Sequence, residues 1–343
     1  MKIRLLFLFC ILIVVVIVSV QWIFFQPNFV RNLNPAPLEI KIKSGMDLLS
    51  ITRQLVEKKL VEHPTLFELA AKISRTEAGF QAGKYLISPG LTNWEIIKRL
   101  TGGKVKLERI TIPEGKRFEF IASILQAKIE IDSTLFARLV HDSVFTHKLG
   151  IYAPTLNGYL FPDTYFFTWG MSEKQCIQAM VRQFKINFPD SIRDHDPELG
   201  LTRHEMVILA SIIEGEVRID SERPLISALY RNRLKRGMLL QACPTVQYLL
   251  PEGPRRLLNR DLEIDSPYNT YIHKGLPPGP INNPGRNSLW AAAYPEDVPY
   301  LFMVARGDGG HNFSRSLSGH LAAKRKFDAY RREVYRKKRH HPN

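Results

Sequence analysis

The feature that most constrains this chain lies at its start. Lys2 and Arg4 precede an apolar run from Leu5 to Val20, which Trp22, Ile23, Phe24 and Phe25 continue. About 20 apolar residues in a helix span a bilayer, so the run predicts one transmembrane helix within residues 1–25. Basic residues ahead of the span favour a cytoplasmic N-terminus, and the aromatics at its far end suit the opposite interface. No small-x-small cleavage site follows, which favours a retained anchor over a cleaved signal peptide. Cys10 lacks the small residues that normally precede a lipidated cysteine. Everything after residue 26 is then expected outside the cytoplasm.

That topology decides how the charge is read. The 343 residues carry a formal net charge of +15, from 48 Lys+Arg against 33 Asp+Glu. Such a balance invites a nucleic-acid partner, yet the stretch from Lys324 to Arg339 alone supplies +7 of it. Outside the cytoplasm, a basic tail over 323–343 would meet anionic lipid headgroups or acidic wall polymers instead, and no nucleic-acid partner is expected. The composition, 45% hydrophobic and 24% charged, excludes a disordered chain, a collagen and a disulfide scaffold. The length suffices for two modest cores. Cys176 and Cys243 give no sign of pairing, and there is no CxxC.

Beyond the anchor, residues 26–37 carry Pro27, Pro35 and Pro37 among asparagines and read as an extended linker. An ungapped repeat follows, I-x-x-G-x5-I-x3-L, in three copies. These are Ile42 to Gly45 with Ile51 and Leu55, Ile87 to Gly90 with Ile96 and Leu100, and Ile112 to Gly115 with Ile121 and Leu125. Each copy predicts a short strand, a glycine turn and a helix whose i, i+4 apolar pair faces the core. The unit resembles the LysM-type glycan-binding module, with either a binding or a scaffolding role. Residues 133–150 and 172–187 read as helical, flanking the aromatic segment Leu156 to Tyr165.

Thr202 to Val217 reads as a helix with Thr202 as cap and Glu205 closing a capping box. Met206 to Ile213 are apolar on nearly all sides, which predicts burial. Glu214 shares a stripe with Val207, Ala210 and Ser211, whereas Glu205 and Glu216 project about 180° and about 200° away round the helix. One carboxyl group is thus expected apart from the others in apolar surroundings, where burial favours its protonated form. That is what a general acid requires. The alternative is a glutamate paired with Arg218 one turn on.

Nine prolines between residues 251 and 299 place the polar residues there in rigid loops. Gln241, Thr245, Asn269 and Tyr271 offer the neutral hydrogen-bonding groups that read sugar hydroxyls and amides. His311 is a further candidate, following an expected strand at Leu301 to Val304. The glycines around it do not form a phosphate-binding GxxxxGK[ST] loop, there is no HExxH, and the histidines lack zinc-ligand spacing. No metal and no cofactor are expected.

Together these segments resemble the MltG/YceG-like family of membrane-anchored endolytic murein transglycosylases. The match rests on Gly158 to Tyr165, Leu209 to Glu216, Ser221 to Arg223, Tyr230 to Leu234, Gly237-Met238, Leu240-Gln241 and Pro244 to Val246. It continues through Tyr268 to Tyr271, Gly275 to Ile281, Asn283 to Gly285, Gly309 to Phe313 and His320. The resemblance implies an enzyme that cuts the β-1,4 bond after N-acetylmuramic acid within nascent peptidoglycan strands. The family's catalytic glutamate falls on Glu214. It would protonate the glycosidic oxygen and then take the proton of the muramoyl C6 hydroxyl, closing a 1,6-anhydro ring. Most glycosidases need two carboxylates; a nucleophile supplied by the substrate removes that need.

Two departures stand out, Asn157 where the family has an acid before Gly158, and Cys243 where it has Asp before Pro-Thr-Val. A non-catalytic peptidoglycan-binding or divisome scaffold is the competing reading. The resemblance also implies a bacterial inner-membrane location and links to cell-wall synthases and the elongation or division machinery. The expected fold class is α+β, with a transmembrane helix, LysM-like βα modules and a catalytic domain with long Pro/Gly-rich loops. The expected boundaries are anchor 1–25, linker 26–37, LysM-like module 38–105, catalytic domain 106–322 including the third repeat copy, and basic tail 323–343.

Overall fold

The computed structural model describes residues 2–28, 36–76, 79–102, 105, 107–189, 192, 199–251, 253 and 255–340. Most of the expected linker, residues 29–35, and the last three tail residues lie outside the described residues.

The chain begins with α1 (Lys2–Phe25), β1 (Leu38–Ile42), α2 (Leu48–Glu57), α3 (Pro64–Ile73), β2 (Gly83–Ile87) and α4 (Asn93–Gly102). It continues through β3 (Leu107–Thr111), α5 (Phe118–Ile129), α6 (Ser133–Val140), α7 (Ser143–Lys148), β4 (Thr164–Thr168) and α8 (Glu173–Asn187). The last elements are α9 (Arg203–Glu216), α10 (Arg223–Lys235), α11 (Cys243–Gln247), α12 (Arg286–Ala293), β5 (Phe302–Ala305), β6 (His311–Ser314) and α13 (Leu317–His340). The protein is mixed α and β. Among the described residues the strands form small two-stranded sheets, β1 with β2, β3 with β4, and β5 with β6.

The chain divides into two compact units. One comprises residues 1–110, 124–132 and 165–176, and the other 111–123, 133–164 and 177–343. In the first, β1 and β2 pair antiparallel from Leu38↔Ile87 to Ile42↔Gly83. The core lies beneath them, built from Ile40, Ile42, Ile87 and the repeat residues Ile51, Leu55, Ile96 and Leu100. The periodicity is met physically. Gly45, Gly90 and Gly115 all take positive φ, between 69° and 85°, a conformation that side chains with a Cβ disfavour. In the third copy Ile121 and Leu125 are likewise fully buried.

Leu6–Phe25 of α1 is long and apolar enough to cross a membrane. Its C-terminal end packs on the first unit. Phe24 is buried in the core, Trp22 stacks on His63, and Asn93 donates to the Ile23 carbonyl at 2.8 Å. Asn28 in turn donates to the Leu91 carbonyl at 2.9 Å and to Asn93 Oδ1 at 3.0 Å. The start of the expected linker is therefore docked rather than extended, because amide side chains satisfy the backbone groups that the helix end exposes.

The second unit is organised around α9. Its N-terminus has the capping box read from the sequence, with Thr202 N–H donating to Glu205 Oε2 at 2.7 Å. Met206 through Ile213 are buried, and α10, α11 and α12 pack against the helix. Burying each large aliphatic side chain contributes about 1.5–3 kcal/mol, so the helix is fixed and its C-terminal turn is a rigid platform. The β5–β6 hairpin runs antiparallel from Phe302↔Ser314 to Ala305↔His311, and α13 packs on both its strands.

Candidate active site

The C-terminal turn of α9 opens on a cavity of about 760 Å³ in the second unit. The β3–α5 turn contributes Glu114, Gly115 and Arg117. The end of α9 contributes Glu214, Gly215 and Glu216; Cys243, Pro244 and Gln247 come from α11, and Ile281 and Asn282 from the proline-rich loop before α12.

Glu214 is the most organised group on this wall, and its surroundings differ from the expectation. It is not isolated among apolar side chains. Its Oε2 accepts from Arg223 Nη1 at 3.1 Å, from the Gly285 N–H at 3.1 Å and from Ser288 Oγ at 2.8 Å. Both the Glu214 and Arg223 side chains are only 8% exposed. The partner is not Arg218, one turn on, but an arginine at the start of the next helix. Arg223 also pairs with Asp220 at 3.1 Å and bonds the Ser288 hydroxyl. Gly285 and Ser288 belong to the N-terminal end of α12, where the helix dipole favours negative charge. All three bonds fall on Oε2; Oε1 receives none among the described residues.

Two further acids border the cavity. Glu114, on the turn of the third repeat copy, lies with its Oε2 3.9 Å from Arg223 Nη2. Burial, then the neighbouring charge of Glu214, pushes its carboxyl above the usual range, against the pull of Arg223. The helical period sets Glu216 well round the helix from Glu214, yet it borders the same cavity because α9 ends there and its terminus forms the wall. Burial pushes its carboxyl up, opposed by His311 and Arg233, and its Oε2 is buried without a hydrogen-bond partner among the described residues.

The five other candidates separate. Thr245 and Asn269 are fully buried. Thr245 Oγ1 donates to the Ala242 carbonyl at 2.8 Å. The Asn269 amide donates to the Leu262 and Ile264 carbonyls at 3.0 and 2.8 Å. Both side chains therefore hold loops together. Gln241 is exposed with φ 48°, and its N–H donates to the Thr270 carbonyl at 2.9 Å. Tyr271 is half-buried, its hydroxyl 3.2 Å from Cys243 Sγ. Cys243 itself lines the cavity, so the residue that departs from the family pattern does face the site.

His311 is held by Glu222. Its backbone N–H donates to Oε1 at 2.9 Å, and Nδ1 lies 2.7 Å from Oε2. His311 Nε2 lies 4.0 Å from Glu216 Oε1, and a smaller cavity of about 290 Å³ borders both residues. Asn157, the other departure, is half-buried, and its N–H donates to Thr155 Oγ1 at 3.3 Å.

Sequence reasoning missed Arg223 as the partner, Ser288, and Glu114. The available signal for Glu114 was the repeat itself. The residue before the turn glycine is Ser44 in the first copy and Pro89 in the second, and only the third carries an acid.

A model of the YceG-like family matches residues 40–326. The chain is 32% identical over 312 residues to an endolytic murein transglycosylase of Bacillus subtilis (strain 168), covering 86% of each chain. It is 26% identical over 300 residues to an endolytic murein transglycosylase of Streptococcus pneumoniae serotype 2 (strain D39 / NCTC 7466), covering 78% of this chain. That alignment takes in 54% of the streptococcal protein, so the chain spans about half of its length. The structure of a YceG-like protein from Listeria monocytogenes is similar with a TM-score of 0.57 at 32% identity, covering 83% of this chain and 98% of that one. By the extent of the family match and this level of identity, the chain belongs to the YceG-like family.

Proposed function

We propose that this protein is a peptidoglycan lytic transglycosylase that cuts within glycan strands, with Glu214 as its catalytic carboxyl group. The observation that carries the reading is Glu214 itself. One of its oxygens is fixed by three donors while the other is uncommitted at the wall of a cavity. A carboxyl group anchored on one side is oriented for proton transfer on the other. The relatives named endolytic murein transglycosylases supply the substrate class.

In this reading Glu214 gives a proton to the glycosidic oxygen between N-acetylmuramic acid and N-acetylglucosamine as that bond breaks. It then takes the proton of the muramoyl C6 hydroxyl, whose oxygen closes the 1,6-anhydro ring. Gln241, Tyr271 and His311 are the proposed glycan contacts, with Thr245 and Asn269 in the loops beside them. The apolar helix holds the protein in the bacterial inner membrane with its N-terminus in the cytoplasm. The proposed boundaries are anchor 1–25, linker 26–37, LysM-like module 38–105, catalytic domain 106–322 and basic tail 323–343. The βααβ arrangement of β1, α2, α3 and β2 supports a LysM-like module. Wall synthases with the elongation or division machinery, and anionic lipid or wall polymer at the basic tail, are the proposed partners.

The test is Glu214→Gln in the full chain. The variant is expected to bind uncrosslinked glycan strands with near-normal affinity and to lose cutting by about 10²-fold or more. Normal cutting by this variant would remove Glu214 from the chemistry and favour a different acid. Strand binding by the parent protein without any cutting would favour the scaffold reading.

A further inference from the structure

Glu214 Oε2 is taken up by three donors, and a general acid must carry a proton when the leaving group departs. The structure supplies a second carboxyl group beside it. Glu114 lines the same cavity with its side chain 49% exposed, and it faces the other terminal nitrogen of the arginine that binds Glu214. The turn carrying it is pinned. Gly115 N–H donates to the Asn283 carbonyl at 2.9 Å, and Asn283 N–H donates to the Lys116 carbonyl at 3.0 Å. A Cβ on Gly115 would stand 3.4 Å from Glu214 Cγ and 3.9 Å from Oε1, so this turn lies directly against the catalytic side chain. Gly285 leaves empty the space that the Glu114 carboxylate occupies, since a Cβ there would overlap it.

We propose that Glu114 is a positioning residue for catalysis, forming with Glu214 a carboxyl pair across Arg223 that retains one proton for delivery through Glu214 to the glycosidic oxygen. This rests on the reading of Glu214 given above. A carboxyl group set beside another carboxylate resists ionising. The upward push on Glu114 from burial and from Glu214 agrees with this. The charged groups around the pair are Arg223 of α10, Asp220 just before it, and Arg117, Glu216, Arg218, Arg255 and Arg256 on the cavity wall. The step balances. One proton leaves the pair for the glycosidic oxygen as the C1–O bond breaks, and the C6 hydroxyl returns one as its oxygen bonds C1.

The experiment compares Glu114→Gln, Glu114→Asp and Glu214→Gln in the full chain in detergent, with uncrosslinked glycan strands as substrate across acidic to alkaline pH. Glu114→Gln is expected to lower kcat by about 10–10²-fold with KM nearly unchanged. The alkaline limb of its pH–rate profile should move to lower pH, because the pair gives up its proton more readily without the second acid. Glu114→Asp should restore part of kcat and part of the shift, and its profile decides the matter if the glutamine variant does not fold. Parent-like kcat and pH profile in Glu114→Gln, or an effect confined to KM, would overturn the proposal and leave Glu214 untouched. Activity in Glu214→Gln would instead overturn the reading on which it rests.

Discussion

Arg223 Nη1 and Glu214 Oε2 meet at 3.1 Å with both side chains 92% removed from solvent. A buried ion pair adds little net stability, but removing one partner strands the other charge. Arg223→Met is therefore expected to lower the unfolding free energy by about 3 kcal/mol, read from urea denaturation. A midpoint equal to the parent would show that the pair is not buried in solution.

Asn283 joins three segments. Its Oδ1 accepts from the N–H groups of Gly158 and Leu160 at 3.0 Å each, and its Nδ2 donates to the Lys116 carbonyl at 2.9 Å. Asn283→Ala leaves the buried Gly158 and Leu160 N–H groups without their side-chain acceptor, at about 1–3 kcal/mol for each unsatisfied group, while the Lys116 carbonyl keeps the Asn283 N–H. Loss of stability together with faster amide exchange at Gly158 and Leu160 is expected. Unchanged exchange at both would contradict the bonding.

Glu216 should make stability depend on pH. Its folded-state carboxyl is raised above the ordinary value of 4.5, chiefly by burial. The folded protein then binds more protons than the unfolded chain, so stability falls as pH rises from that value through the raised one. Glu216→Gln is expected to flatten this slope and to raise Tm at neutral pH relative to the parent. Parallel Tm–pH curves for the two proteins would refute it.

The parts of this molecule legible in its sequence are those set by neighbours along the chain. The capping box of Thr202 and Glu205 spans three residues and forms as read. The repeat pairs Ile51–Leu55, Ile96–Leu100 and Ile121–Leu125 lie four apart and are all buried, because helical period alone places them on one face. The environment of Glu214 was not legible, since its ligands arrive from residues 223, 285 and 288, brought by two other helices. Reasoning along one helix reaches only Arg218. The wheel also misplaced Glu216, since angular separation loses meaning where the helix ends in a cavity wall. Thr245 and Asn269 carry the hydrogen-bonding chemistry of sugar readers, but the same groups satisfy buried loop backbone, and composition does not distinguish the two uses.

The central claim is tested most directly by the mass of the ends produced when the full chain acts on uncrosslinked glycan strands. The account predicts new muramoyl ends lighter by one water than hydrolysis would leave, closed as 1,6-anhydro rings, and absent when Glu214→Gln replaces the parent. New ends that retain the water, or anhydro ends formed equally by Glu214→Gln, would contradict it.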